Sequence, residues 1–221
     1  MDVKASQLFR LLRPHPWHGV EIGPRAPEVV TAYLEIVPTD TVKYEIEKSS
    51  GYLRVDRPQK YSSLCPTLYG FLPQTYCAEA VAAVGAASAG RTGLVGDGDP
   101  LDICVVTEKT IPRGDILVSA RPIGGLCLFD HGEADDKLIA VLEGDAVFGA
   151  VTELSDLPPG LLERIRHYFL TYKLAPGDEP RVEIAGIYGR AGAHAVIEAA
   201  RRDYRDHFGD LETLLAETRQ R

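Results

Sequence analysis

Three aspartates stand within six residues at 97–102, where the chain reads Asp-Gly-Asp-Pro-Leu-Asp and runs into an apolar segment. Carboxylates this close repel each other, and proteins that gather them usually do so around hard cations, which prefer oxygen ligands. Gly98 allows a tight turn and Pro100 stiffens it. An EF-hand calcium loop does not fit, because Asp102 stands at the sixth position, where that loop needs glycine. The spacing therefore favours a divalent-metal site, and the alternative is a solvated acidic turn.

A second acidic segment follows further along the chain. Its carboxylates are Asp130, Glu133, Asp135 and Asp136, and Lys137 closes it. It lies between two predicted strands, so it can form a loop that folds back on the first cluster. Alone, such a loop is more often solvated than functional. Together, the two clusters supply enough carboxylates for several divalent ions.

Cationic and phenolic side chains are spread along the rest of the chain, at Lys43, Arg57, Tyr69, Tyr172 and Lys173. Each alone is unremarkable, because charged residues on a strand are usually solvated and a tyrosine on a helix often packs in the core. Taken together, they could supply the hydrogen-bond donors that a multiply charged anionic substrate requires.

Composition limits the classes of function. The 221 residues suffice for one sizeable core and one or at most two domains. A net charge of −8 argues against a general nucleic-acid binder, which needs a basic surface. No segment has the apolar pattern of a signal peptide or a membrane span, so we expect no membrane association and a cytoplasmic location. The four cysteines show no metal-binding spacing, and we expect them to be reduced.

Strands come first and helices later, which predicts an α+β domain with a closed or strongly curved sheet. The pattern predicts strands within 29–56 and at 101–106, 116–120, 138–142 and 182–187. A helix is predicted from Ser155-Asp156 to Pro176-Gly177, and a second from about Ala193 to Arg205.

The segment 76–96 is rich in Ala, Gly and Val and has few large side chains. We interpret it as a mobile loop insertion that carries no catalytic group. The expected organisation is thus a single domain over 1–221, with a core at 28–190, a loop insertion at 76–96 and a C-terminal helical segment at 191–221.

The aspartate motif resembles the D-G-D-P-x-D signature of family I soluble inorganic pyrophosphatases. The resemblance continues in order from about Ala32 to Ile187. It includes a strand with Glu35, the Lys-Tyr-Glu at 43–45, the Asp-Arg at 56–57, the Tyr-Gly at 69–70, the acidic segment 130–137, and the Tyr-Lys at 172–173. Cys65 departs from the aromatic residue expected there.

The resemblance implies a strongly twisted, OB-like five-stranded β-barrel flanked by two main helices. It also implies Mg²⁺-dependent hydrolysis of pyrophosphate to two phosphates by a metal-activated water, with several Mg²⁺ ions per site. Asp97, Asp102, Asp130 and Asp135 would bind metal directly, Glu35 would act through water, and Asp99 would be the catalytic base. The substrate-binding residues would be Lys43, Arg57, Tyr69, Lys137, Tyr172 and Lys173.

Two other functions stay open from the sequence alone. One is a different metal-dependent phosphohydrolase, although no P-loop or Nudix-type helix is found. The other is a non-enzymatic divalent-cation or OB-like binding module, which would leave the Lys, Arg and Tyr set without a purpose. The resemblance further implies a homo-oligomer and does not distinguish a dimer from a hexamer.

Overall fold

Five strands close into a ring in the computed structural model, which describes residues 13–175, 177–179 and 181–209. Ten strands occur in these ranges: β1 (Val30–Ile36), β2 (Val42–Ile46), β3 (Leu53–Pro58), β4 (Leu68–Phe71), β5 (Val95–Gly96), β6 (Asp102–Val106), β7 (Ile116–Asp130), β8 (Glu133–Ala134), β9 (Lys137–Leu142) and β10 (Val182–Gly189). The ring runs β1-β4-β6-β9-β7 and closes because β7 pairs with β1. The predicted five-stranded OB-like barrel is confirmed.

Strand β7 is much longer than expected. The sequence predicted a strand only at 116–120, whereas β7 continues to Asp130 and pairs with β1, β9, β8 and β10. Pro122 and Gly124 resemble a strand end, but the register of β7 against β9 shifts between these two residues. Such an irregularity bends a strand without ending it, and a curved barrel strand needs this bend.

Three helices lie in the described ranges: α1 (Glu79–Ala89), α2 (Pro159–Thr171) and α3 (Arg190–Phe208). The predicted start of α2 at Ser155 is too early, because Leu154–Asp156 form a separate 3₁₀ turn and the helix begins at Pro159. Proline is favoured at this first helical position, where its missing N–H costs nothing. The predicted end at Pro176-Gly177 is too late, because the helix ends at Thr171. The parts of the expected lead-in and C-terminal segment at 1–12 and 210–221 lie outside the described residues.

Helix α1 corrects the loop expected at 76–96. Alanine has the highest helix propensity, so the small side chains that indicated a loop also suit a helix. Gly90 ends α1 in the left-handed conformation at φ 63°. Val81, Ala82 and Gly85 are buried, and α1 packs against α3. The barrel is therefore flanked by three helices, where the sequence predicted two.

Alternate side chains of the barrel strands face two hydrophobic clusters. On β6, Ile103 and Val105 join the cluster that includes residues of α1 and α3. Cys104 and Val106 join the cluster that includes Ile165 of α2. This alternation is the period-two pattern of a strand buried on both faces.

All four cysteines are buried and free. No helix in the described part of the chain is long and apolar enough to cross a membrane.

Candidate active site

The first aspartate cluster lies in the tight turn that enters β6. Gly98 adopts φ +73°, which favours glycine, and the backbone N–H of Asp99 donates to Asp97 Oδ1 over 3.0 Å. Asp102 is the first residue of β6. Burial, together with repulsion from Asp135, raises the pKa of Asp97 above its ordinary value. The turn thus holds a carboxylate that resists ionising until a cation compensates its charge.

Strand pairing places the second acidic segment beside the first. Strands β6 and β9 are parallel, and their register sets Asp102 directly beside Lys137. The Lys137 ammonium is 2% exposed and is hydrogen-bonded to Asp102 and Asp135. Burial alone would lower the pKa of Lys137, but these carboxylates hold it well above its ordinary value. Burial raises the pKa of Asp135. The site is therefore built around a permanently charged ammonium.

Two more groups approach the aspartates from neighbouring strands. The Tyr69 hydroxyl on β4 donates to Asp102 Oδ2 over 2.5 Å. Glu35 on β1 is 5% exposed and accepts the Ile46 N–H over 2.8 Å. Burial raises the pKa of Glu35 to about 8 despite that hydrogen bond.

The end of β7 and the end of α2 meet across the site. Asp130, the last residue of β7, forms an ion pair with Lys173. Its Oδ1 is buried and has no hydrogen-bond partner among the described residues, although His131 Nε2 lies 3.7 Å away. Tyr172 is the C-cap of α2, and the Lys173 ammonium lies 5.4 Å from the centre of its ring. A buried carboxylate oxygen without a partner is costly, so it indicates a missing ligand.

The hairpin of β2 and β3 contributes two cations in register with each other. Lys43 pairs with Arg57 across the hairpin, and both side chains lie near Asp56, with Lys43 Nζ at 3.4 Å from its carboxylate. The Arg57 guanidinium lies 5.9 Å from the Tyr172 ring centre. Its Nη2 is buried without a hydrogen-bond partner in the described ranges. This donor is free to bind an anion.

These side chains surround a cleft of about 200 Å³. Eleven of the twelve residues predicted for the site line it. The twelfth, Arg57, does not line the cleft but lies over the ring of Tyr172, which does. The wall contains eight carboxylates and four ammonium groups, an excess of four negative charges when all are ionised. The carboxylates are Glu35, Glu45, Asp97, Asp99, Asp102, Asp130, Glu133 and Asp135, and the ammonium groups are those of Lys43, Lys48, Lys137 and Lys173.

Comparison with known proteins identifies the family. A family model described as "Inorganic pyrophosphatase" matches residues 32–205. The chain belongs to the inorganic pyrophosphatase family. It is a hydrolase that splits pyrophosphate into two phosphates.

Relatives and solved structures support this assignment. The chain is 50% identical over 195 residues to the inorganic pyrophosphatase of Chlamydia muridarum, covering 86% of this chain and 93% of that protein. It is 37% identical over 171 residues to soluble inorganic pyrophosphatase 1 of Arabidopsis thaliana, covering 77% and 72%. The crystal structure of the inorganic pyrophosphatase from Thermus thermophilus matches with a TM-score of 0.72 at 28% identity, covering 87% of this chain and 99% of that one.

Pyrophosphatases of this family are metal-dependent, and the donor set of the cleft fits a hard divalent cation. Its acidic side chains offer only oxygen donors, and burial raises the pKa of Asp97 and Asp135. Among the described residues, no hydrogen bond reaches Asp130 Oδ1. In their present positions, however, no three or more His, Cys, Asp or Glu side chains among the described residues are arranged to hold a metal ion. The Lys137 ammonium lies between Asp102 and Asp135 and balances their charge.

Four residues in or behind the cleft received no individual role from the sequence, although two of them, Glu133 and Asp136, belong to the second acidic segment. Lys48 pairs with Asp99, and Glu45 and Glu133 line the cleft. The period-two spacing of Lys43 and Glu45 on β2 could have indicated Glu45. Asp136 is buried behind the cleft and accepts the Tyr188 hydroxyl over 3.0 Å. The hydrogen-bond partners of Lys48 and Asp136 are distant in sequence, so no local pattern indicates them.

Proposed function

We propose that the metal of this pyrophosphatase is Mg²⁺, bound directly by Asp97, Asp102, Asp130 and Asp135, with Glu35 acting through water. The observation that carries the proposal is the convergence of eight carboxylates on the cleft wall, of which burial holds Glu35, Asp97 and Asp135 back from ionising. Pyrophosphate is itself a multiply charged anion, so it cannot enter such a cleft unless cations compensate both sets of charges. Carboxylate oxygens of this kind suit Mg²⁺.

Bound divalent ions supply charge neutralisation of the phosphates and a lowered pKa of the attacking water. The chain supplies the fixed donors for the phosphates. We assign this role to six side chains: Lys43, Arg57, Tyr69, Lys137, Tyr172 and Lys173. The unpaired Nη2 of Arg57 supports its inclusion. Fixed cations around the transferring phosphoryl group stabilise the charge that develops on the leaving phosphate.

Asp99 is the proposed catalytic base. It lies on the same rigid turn as Asp97 and is 40% exposed, so solvent water can reach its carboxylate. In this role Asp99 accepts a proton from the attacking water. Lys48 forms an ion pair with its carboxylate. Lys137 keeps its proton throughout, because Asp102 and Asp135 hold its pKa far above neutral. It therefore acts as a hydrogen-bond donor.

The cytoplasmic location, expected from the sequence pattern, and the homo-oligomeric state, implied by the resemblance, are part of the same proposal. Light scattering of the purified protein measures the second directly.

The proposal is tested by phosphate release from pyrophosphate, ATP and a phosphomonoester, each with Mg²⁺, with Ca²⁺ and with EDTA. We expect rapid release from pyrophosphate with Mg²⁺ and little from the other two substrates. Ca²⁺ is larger and more loosely coordinated, so it should compete with Mg²⁺ and support little turnover. Full activity in EDTA, or equal activity with the phosphomonoester, would contradict the proposal.

A further inference from the structure

The segment 75–78, between β4 and α1, lies between the first aspartate cluster and helix α3. We call it the 75–78 bridge. It precedes the metal-binding turn by about twenty residues and α3 by more than a hundred. The bridge is hydrogen-bonded to the aspartate turn and to α3, and different groups of the bridge make the two sets of hydrogen bonds.

On one side, the bridge holds the backbone of the turn. The Cys77 N–H donates to the Asp99 carbonyl over 2.9 Å, and the Gly98 N–H donates to the Cys77 carbonyl over 3.0 Å. The Leu101 N–H donates to Thr75 Oγ1 over 2.9 Å. A side chain at Gly96 would lie 2.2 Å from the Cys77 carbonyl oxygen, so the two backbones are in direct contact. The turn therefore takes its position from the bridge.

On the other side, α3 holds the bridge and the start of α1. The Tyr76 N–H donates to the Ala200 carbonyl over 3.0 Å. Asp203 accepts the N–H groups of Ala78, Ala80 and Val81 at 2.9, 2.9 and 3.0 Å. Ala78 is the N-cap of α1 and its side chain cannot accept a hydrogen bond, so the capping group comes from α3 instead.

Asp203 is 5% exposed, and these three hydrogen bonds use both of its carboxylate oxygens. Its partners are 122 to 125 residues away in sequence. A buried carboxylate is retained at a cost in desolvation, and its hydrogen bonds fix the groups that donate them. The start of α1 is thus fixed relative to α3, and Cys77 immediately precedes it.

We propose that Asp203 is a positioning residue for the metal site, acting through the 75–78 bridge on the turn that carries Asp97, Asp99 and Asp102. The inference rests on the proposed role of Asp97 and Asp102 as metal ligands. Asp203 does not contact the cleft, so its effect reaches the metal only through the backbone of the bridge. Residues that orient metal ligands typically change metal affinity by about 10–100-fold when they are replaced.

The test is Asp203→Asn, measured by Mn²⁺ binding in isothermal titration calorimetry without substrate. Asparagine keeps the shape and one acceptor oxygen, so at least one of the three N–H bonds is lost. We expect Mn²⁺ affinity to fall about tenfold. Hydrogen exchange at the Gly98 and Leu101 amides should become faster, because their acceptors belong to the bridge. Thr75→Val removes the acceptor of the Leu101 N–H directly and should change both readouts in the same direction.

Asp145→Asn is the matched control. Asp145 is also buried and caps backbone groups, accepting the N–H groups of Glu108, Val147 and Phe148 at 2.8–2.9 Å. It lies beyond the far end of β6 from Asp102. Loss of a buried capping carboxylate should destabilise both variants, but Asp145→Asn should leave Mn²⁺ affinity and exchange at Gly98 unchanged.

The outcomes separate this inference from the proposed function. If Asp102→Asn weakens Mn²⁺ binding and Asp203→Asn stays within twofold of the unmodified enzyme, Asp203 does not position the site. An equal loss in Asp145→Asn and Asp203→Asn would also overturn the inference, since it would reflect general destabilisation. If Asp102→Asn leaves Mn²⁺ binding unchanged, the proposed ligands themselves are wrong and the inference fails with them.

Discussion

At the scale of single residues, the site depends on charges that balance only in part. Asp102 and Lys137 start two parallel strands in register, so the sheet itself brings a carboxylate and an ammonium together. The remaining carboxylates outnumber the ammonium groups of the cleft wall, and burial raises the pKa of Asp97 and Glu35. The folded chain is thus prepared for divalent cations before they bind.

Asp99→Asn tests the proposed base. Asparagine preserves the shape of the side chain but cannot accept the proton, so kcat should fall by roughly 10²-fold or more. Mg²⁺ binding should change much less, because Asp99 is not a proposed ligand. Steady-state kinetics and calorimetry measure the two effects. Glu133→Gln is the control, since Glu133 lines the same cleft without an assigned role. A near-normal kcat for Asp99→Asn at neutral pH would show that another group is the base.

The pKa of Glu35 predicts how the stability of the metal-free enzyme depends on pH. Burial raises this pKa from 4.5 to about 8, whereas the unfolded chain keeps the ordinary value. Between these values the folded state holds a proton that the unfolded state has lost, so stability from this group falls as pH rises from about 4.5 to about 8. Glu35→Gln removes the titration.

The comparison is urea unfolding of both proteins in EDTA at several pH values across that window. We expect Glu35→Gln to gain stability relative to the unmodified enzyme as pH rises. Parallel curves for the two proteins would contradict the raised pKa.

For single residues, the sequence predicted those site residues that lie close together in the chain or that belong to the motifs of the family resemblance. Asp97, Asp99 and Asp102 stand together in sequence, so their joint role was visible. Lys48 was missed because its partner Asp99 lies 51 residues away. Asp203 was missed for the same reason: its three partners are fixed by packing between α1 and α3, and nothing in the sequence around Asp203 indicates them.

At the scale of elements, helix α1 shows why composition misled. A stretch of small residues without a large apolar stripe gives a weak helical pattern, and its N-terminus lacks a capping side chain of its own. The cap arrives from Asp203, and burial of Val81, Ala82 and Gly85 supplies the packing. Composition also misled for strand β7. Proline and glycine usually end strands, so the prediction stopped before Pro122 and Gly124, whereas the curved barrel strand continues through both.

Gly85→Ala and Gly90→Ala test this account of α1 as a pair. A methyl group at Gly85 would lie 3.7 Å from the Phe129 ring and 3.8 Å from Ala134, which is ordinary contact. Alanine should therefore stabilise the helix interior by roughly 0.5–1 kcal/mol. Gly90 adopts φ +63°, so alanine there should cost about 1 kcal/mol, although its surroundings are open.

The free energy of unfolding in urea decides between the outcomes for this pair. Opposite signs for the two variants are expected. Destabilisation by Gly85→Ala would show that the packing of α1 is tighter than described.

At the scale of the whole molecule, the closed ring explains where the site lies. Strands β6 and β9 both begin at the cleft, β7 reaches it with its last residue, and α2 ends beside it. Each contributes a charged group at the point where regular structure starts or stops, while the two hydrophobic clusters fill the faces of the barrel. This arrangement followed from the family resemblance, since no strand pattern alone specifies ring closure between β1 and β7.

The most direct test of the account is the anomalous difference map of a crystal of this enzyme grown with Mn²⁺ in place of Mg²⁺. Peaks are expected inside the cleft, within coordination distance of Asp97, Asp102, Asp130 or Asp135, because these carboxylate oxygens line the cleft as hard ligands. Those peaks should be lost in crystals of Asp102→Asn. Peaks confined to other surfaces, with an empty cleft in an active enzyme, would contradict the proposed metal site.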